Sequence, residues 1–134
     1  DQSALEGADF SAASIQSTSF FKCRGSALNF TGAVLEKAIF SQASLPQADF
    51  TQARLSMAVL SSAEFTAAQF TNATLSYCQC QSMRAAKASF AGADLTGSDF
   101  HAADLSDCDW RDANRSAICA PDHERLAAER WQPA

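Results

Sequence analysis

The 134-residue sequence contains no apolar run longer than a few residues, so no segment is long enough for a transmembrane helix. A charged start followed by an apolar centre, the mark of a secretory leader, is not visible either. Three prolines and five glycines are too few for a Pro/Gly-rich disordered chain. Basic excess is also lacking. Ten Lys and Arg against fifteen Asp and Glu give a net charge of −5, which argues against general nucleic-acid binding and against docking on anionic lipid. Only two histidines are present, His101 and His123, and both are expected to be solvent-exposed. No nucleophile–base pair, Gly-rich phosphate loop or metal-ligand array accompanies them, so no catalytic, cofactor-binding or metal-binding residue is assigned. The five cysteines, Cys23, Cys78, Cys80, Cys108 and Cys119, have no disulfide-framework spacing and are expected to be reduced thiols filling space, which favours a cytoplasmic location. The chain starts at Asp1 without a methionine and inside its own repeat, so it is expected to be a domain of a larger protein.

What is present is a period of five. Of the twenty-two positions 5, 10, 15 through 110, nineteen are Phe, Leu, Ile or Trp; the exceptions are Gly25, Cys80 and Ala85. Two residues before each of these, fourteen of twenty-two positions are Ala. The residue just after is Ser or Thr in twelve of twenty-two. Five matches neither the 3.6 residues of a helical turn nor the two of a flat strand. It suits a chain that turns a corner every five residues, pointing the large residue and the small one two before it inward. Four such sides make a square coil, and stacked coils lie about 4.8 Å apart.

Writing the sequence in rows of twenty tests this. Phe10, Phe30, Phe50, Phe70, Phe90 and Trp110 fall in one column, and Ile15, Leu35, Leu55, Leu75 and Leu95 in the next. Gly25 and Ala85 lose volume in a third column, and the small inward positions beside them hold the larger Cys23 and Met83. This is volume compensation in one continuous core.

The motifs "ADFSA", "ADFTQ", "ADLTG" and "ADLSD" resemble the pentapeptide repeat family, over roughly residues 3–114. The resemblance implies an all-β fold, a right-handed quadrilateral parallel β-helix of about five and a half coils, roughly 25 Å long at the strand spacing. Residues 1–116 are expected to form this β-helix. Residues 117–134, including "APDHERLAAERW", are expected to form a short capping helix that lays Leu126 and Trp131 over the last coil. The resemblance also implies a non-enzymatic interaction or scaffold module of a bacterial protein, with secreted effectors among its relatives. The alternative it implies is a DNA mimic that binds gyrase and confers quinolone resistance.

Two surfaces are candidates for contact with a partner protein, another domain of the parent chain or a second copy. The first is an apolar stripe of Phe21, Val34, Ile39, Met57, Val59 and Tyr77, all at outward positions. The second is an acidic end. Asp94, Asp99, Asp104 and Asp109 precede four successive large residues, and Asp107 and Asp112 add outward acids. Residues 1–90 carry six acids and six bases, and residues 91–134 nine acids and four bases, so the whole net charge lies in the last third. Direct nucleic-acid binding and membrane insertion are not expected. A core continuous through stacked phenylalanines makes one quantitative forecast: Phe50→Ala lowers unfolding stability by about 3–5 kcal/mol, measured by denaturant titration.

Overall fold

The structure is a computed structural model that describes residues 8–119. It is the right-handed quadrilateral parallel β-helix that the resemblance implies. Every parallel bridge, from Asp9 with Asn29 through Asp99 with Cys119, joins residues twenty apart in sequence. Coils 1 to 5 comprise residues 8–27, 28–47, 48–67, 68–87 and 88–107, and residues 108–119 begin a sixth. Each wall is named by the residues that bridge along it. Face 1 carries Asp9 to Asp109, face 2 Ser14 to Asn114, face 3 Ser19 to Cys119, and face 4 Arg24 to Asp104.

Five backbone N–H groups per repeat need acceptors, and in the repeat 30–34 all five have them. Phe30 and Gly32 donate to the next coil, at Asp49 (2.7 Å) and Thr51 (2.9 Å), and Val34 donates back to Ala13 at 2.8 Å. Ala33 closes the corner onto the carbonyl of Phe30 at 3.0 Å. The fifth, Thr31 N–H, is taken by the Asn29 side chain at 2.9 Å.

The corner fixes the backbone conformation. Its second residue has φ between 55° and 71° at every corner from Ala12 to Ala117, the requirement of a type II turn. Glycine meets it at only three corners, Gly32, Gly92 and Gly97; nineteen are held by L-residues with a side chain. The sequence obeys the constraint by exclusion. No Val, Ile, Thr or Pro occupies a second corner position, whereas Thr31, Thr51, Thr66, Thr71, Thr96 and Pro46 all stand at the first.

The core runs the length of the rod. The face 1 rings lie parallel at 4.8–5.0 Å from Phe10 through Phe90 to Trp110, which is the rise of one coil. Rings on opposite inner walls meet edge to face across the core, as Phe30 does Phe40 at 5.8 Å and 87°. That geometry suits the ring quadrupole and supplements the parallel stacks. Met83 and Cys23 are buried beside Ala85 and Gly25 as the volume argument expects. Leu28, at a position usually held by Ala, is fully buried too and adds bulk next to Gly25.

Polar atoms inside follow one rule. Cys78 Sγ donates to the carbonyl of Leu55, Ser98 Oγ to that of Leu75, and Cys108 Sγ to that of Ala85, each twenty-three residues back. Ser98 Oγ also accepts from Cys78 N–H at 3.0 Å, so it bridges the two groups that close other corners directly. Burial pushes the Cys80 thiol well up, and pushes Cys108 up to about 12 with help from the nearby Asp104 and Asp107 carboxylates. These thiols stay protonated at neutral pH and act as packing groups.

The coil register extends to Cys119, past residue 114 where the apolar pattern ends. Leu95 and Phe100 N–H still donate to Asn114 and Cys119, both at 2.8 Å. Arg115 takes the inward place held by leucines on face 2, with its guanidinium 5.1 Å from the centre of the Trp110 ring. Desolvation there lowers the Arg115 pKa. The capping helix expected from Leu126 and Trp131 lies outside the described residues.

Corner strain yields a paired test. A non-glycine residue in the left-handed region costs roughly 1–2 kcal/mol, partly offset by the flexibility glycine adds to the unfolded chain. Gln52, exposed and at φ 60°, is a suitable site. Gln52→Gly is expected to stabilise the protein by up to about 1 kcal/mol, and the β-branched Gln52→Val to destabilise it by at least as much, read from thermal unfolding.

Candidate interaction surfaces

The walls and corners decide which side chains a partner meets. Each repeat presents one wall residue and two corner residues outward, so the outer surface consists of columns whose members recur at every coil.

The acidic end is built from wall positions, and there the carboxylates bond the backbone. Asp94, Asp99, Asp104 and Asp109 each accept the N–H two residues on, from Thr96, His101, Ser106 and Arg111, at 3.0–3.1 Å. Asp9, Asp49 and the amides of Asn29 and Asn114 do the same elsewhere on the rod. The side chain thereby takes the one corner donor that the coil-to-coil ladder leaves over. Acid at this phase is therefore a turn brace first. The second carboxylate oxygen of Asp99 also accepts from Gln81 Nε2 at 2.9 Å. Arg111 reaches Asp109 at 2.7 Å and holds its carboxyl below the ordinary aspartate range. The stability from that pairing is present above the usual aspartate pKa and is lost as pH falls through the lowered folded-state value. Asp107 and Asp112 sit at second corner positions, at φ 58° and 59°, and both are exposed.

The apolar stripe lies on face 3 and the corners either side of it. Ile39 and Val59 are bridge partners on the wall. Met57 and Tyr77 stand one above the other at the corner between faces 2 and 3, 50% and 63% exposed, and are the most solvent-facing large apolar side chains described. Phe21 is exposed at the opposite corner, with Lys22 Nζ 5.2 Å from its ring centre. Val34, on face 2, and Val59 are half-buried. The Tyr77 ring lies over Gly97: a Cβ built on that glycine would be 2.5 Å from Tyr77 Cε1. Valine and isoleucine at the wall carry no acceptor for the next corner N–H. Val34, Ile39 and Val59 therefore forgo the brace that Asp and Asn supply.

A polar border that sequence phase does not single out adjoins the stripe. Lys22, Arg24, Gln42 and Ser44 line a shallow groove along the corner between faces 3 and 4. Among the described residues, no three His, Cys, Asp or Glu side chains are placed to hold a metal, and Cys78 and Cys80 both point into the core.

A four-sided coil with a filled interior defines a β-solenoid whose contacts with other molecules lie on its outside. The chain belongs to the pentapeptide repeat family: the family described as Pentapeptide repeats (8 copies) matches over residues 29–66, 63–101 and 75–112. No curated protein matches the chain significantly. Among solved structures it is similar to HetL, a pentapeptide repeat protein involved in heterocyst differentiation regulation from the cyanobacterium Nostoc. That match has TM-score 0.71 and 22% identity over 89% of this chain and 64% of HetL. The chain thus spans less than two thirds of HetL's length. It is similar to Rfr23 from the cyanobacterium Cyanothece, at TM-score 0.54 and 14% identity over 88% of each chain. It is also similar to QnrB1, a plasmid-mediated fluoroquinolone resistance protein, at TM-score 0.51 and 19% identity over 99% of this chain and 89% of that one. At these identities the likeness is one of fold.

Bracing and charge can be separated at one wall residue. Asp94→Asn keeps an acceptor for Thr96 and is expected to leave stability nearly unchanged. Asp94→Ala removes the acceptor and is expected to cost about 0.5–1.5 kcal/mol in denaturant titration. Equal losses in the two variants would assign the role to charge instead.

Proposed function

We propose that this chain is a non-enzymatic protein-interaction rod whose docking surface is face 3 with its flanking corners. The observation that carries this reading is the run of adjoining apolar side chains on the outside of face 3. Face 3 sets Ile39 and Val59 where an acceptor would serve the fold, and places exposed Met57 and Tyr77 beside them. A contiguous exposed apolar patch is the mark of an interface. The filled core supports the absence of catalysis, since the stacked rings and buried alanines leave no interior cleft for a substrate among the described residues.

The ring of carboxylates around coil 5 supports a second reading, mimicry of a DNA duplex toward gyrase, in a fold shared with a fluoroquinolone resistance protein. Charge along the rod favours the first. Lys22, Arg24, Arg54, Arg84 and Lys87 punctuate coils 1 to 4, where a mimic needs phosphate-like charge throughout.

The test uses Val59→Asp with Tyr77→Asp. Aspartate at wall position 59 can accept the Ser61 N–H as Asp49 accepts that of Thr51 at 2.9 Å, so the variant is expected to fold. Its association with protein partners, own copies included, is expected to fall at least about tenfold. Unchanged association with an unchanged melting curve would overturn the reading. Gyrase supercoiling is expected to be unaffected by the wild type. Inhibition that disappears on Asp→Asn at positions 94, 99, 104 and 109 would put the second reading first.

A further inference from the structure

Face 3 changes character along the rod axis. Coil 1 brings Phe21 and Lys22 to its edge, with Arg24 just round the corner on face 4. Coil 2 brings Lys37 and Ile39, coil 3 Met57 and Val59, and coil 4 Tyr77 and Gln79. Coil 5 brings Asp99 and, round the same corner as Arg24, Asp104. Cation, apolar centre and anion thus follow one another at a fixed rise of about 4.8 Å.

Such a gradient is self-complementary under one symmetry. Let two rods lie face 3 to face 3 about a two-fold axis in the contact plane, perpendicular to both rods and level with coil 3. Coil 1 of each then faces coil 5 of the other, coil 2 faces coil 4, and coil 3 faces itself. Met57 and Val59 meet their own copies at the centre. Lys37 and Ile39 meet Tyr77 and Gln79, which offers the lysine an aromatic face. Lys22, which is not ion-paired among the described residues, comes level with Asp99 at both ends, while Arg24 and Asp104 add charge of the same signs at those levels from face 4. A parallel pairing does the opposite. It puts both cationic ends at one level and both acidic ends at the other, with Asp99 opposite its own copy. Like charges at close range select against it.

We propose that the occupant of face 3 is a second copy of this chain, docked antiparallel in an isologous dimer. The proposal rests on the reading of the rod as an interaction module and names its partner. The shared wall is about five coils, or roughly 24 Å, long. That is at the small end of specific interfaces, so the dimer is expected to dissociate within a measurable concentration range, and more readily as salt screens its two charged ends.

The experiment is sedimentation velocity on the whole chain, from micromolar to several hundred micromolar, at low and high salt. The expected result is a concentration-dependent rise toward twice 14.3 kDa that weakens with salt. Val59→Asp sets two carboxylates against each other at the symmetry axis and is expected to weaken pairing at least about tenfold. In a second arm, Val59→Cys is expected to cross-link rapidly to its own copy under mild oxidation. Gln69→Cys, exposed on face 1, should cross-link no faster than wild type. A monomer at every concentration overturns the dimer, as does pairing that Val59→Asp leaves intact or a Val59→Cys that cross-links no faster than Gln69→Cys. If the wild type is monomeric while the face 3 variant loses binding to a different, identified protein, the dimer falls and the interaction reading stands. If neither pairing nor binding depends on face 3, both fall.

Discussion

The hydrogen-bonded rise of one coil on the next is the constraint from which everything else in this protein follows. Three N–H groups of each repeat reach a neighbouring coil, and no bridge departs from the twenty-residue offset. Each side chain therefore sits directly over another of the same phase, about 4.8 Å away. The phenylalanines of face 1 stack at that distance because the backbone leaves them no other. Outside, the same register lines up Ile39 with Val59 and Met57 with Tyr77, so an apolar patch needs only a few residues at matching phase. The fold turns periodicity in sequence into columns in space.

The corners oppose this order. Among the described residues, nineteen L-residues are held at positive φ, at roughly 1–2 kcal/mol each. Together that exceeds the whole net stability of an ordinary domain, about 5–15 kcal/mol. No single coil can offset its own four corners. Burial of the stacked rings and the ladder to both neighbours must do so, which ties each coil's stability to those beside it. The wall aspartates and asparagines belong to the same balance, because each supplies an acceptor for the corner N–H that the ladder omits.

Much of this could be read from the sequence. The large and small inward positions, the four columns and the compensation at Gly25 and Ala85 all rest on volume and phase, which sequence displays directly. The stripe was visible too, since Val34, Ile39 and Val59 break a polar column. The strained corner was harder to see. Lys37, Gln52, Met57 and Tyr77 have nothing in common except what they are not, and the clue was the absence of Val, Ile, Thr and Pro from one column. The inward Arg115 escaped notice because a cation reads as surface until the ring of Trp110 is found beneath it. Ser98 stands at a position usually held by alanine, and only the structure places its hydroxyl between Cys78 N–H and the Leu75 carbonyl. At the acidic end the sequence admits both a charged docking surface and bonds to nearby backbone, and the geometry shows which N–H each carboxylate takes.

The coil-to-coil ladder also makes the rod mechanically uneven. Its bonds between any two coils act side by side, so drawing the rod apart along its axis loads a whole square of them at once. Tension on the chain at an end coil acts differently. It lifts one wall, then one corner, then the next wall, and each bond meets the force alone. A rod of this kind is a strut under load carried through its faces and a zipper under load carried through its chain. Cellular machinery that grips a polypeptide by its end would find it far easier to unravel than its dense core suggests.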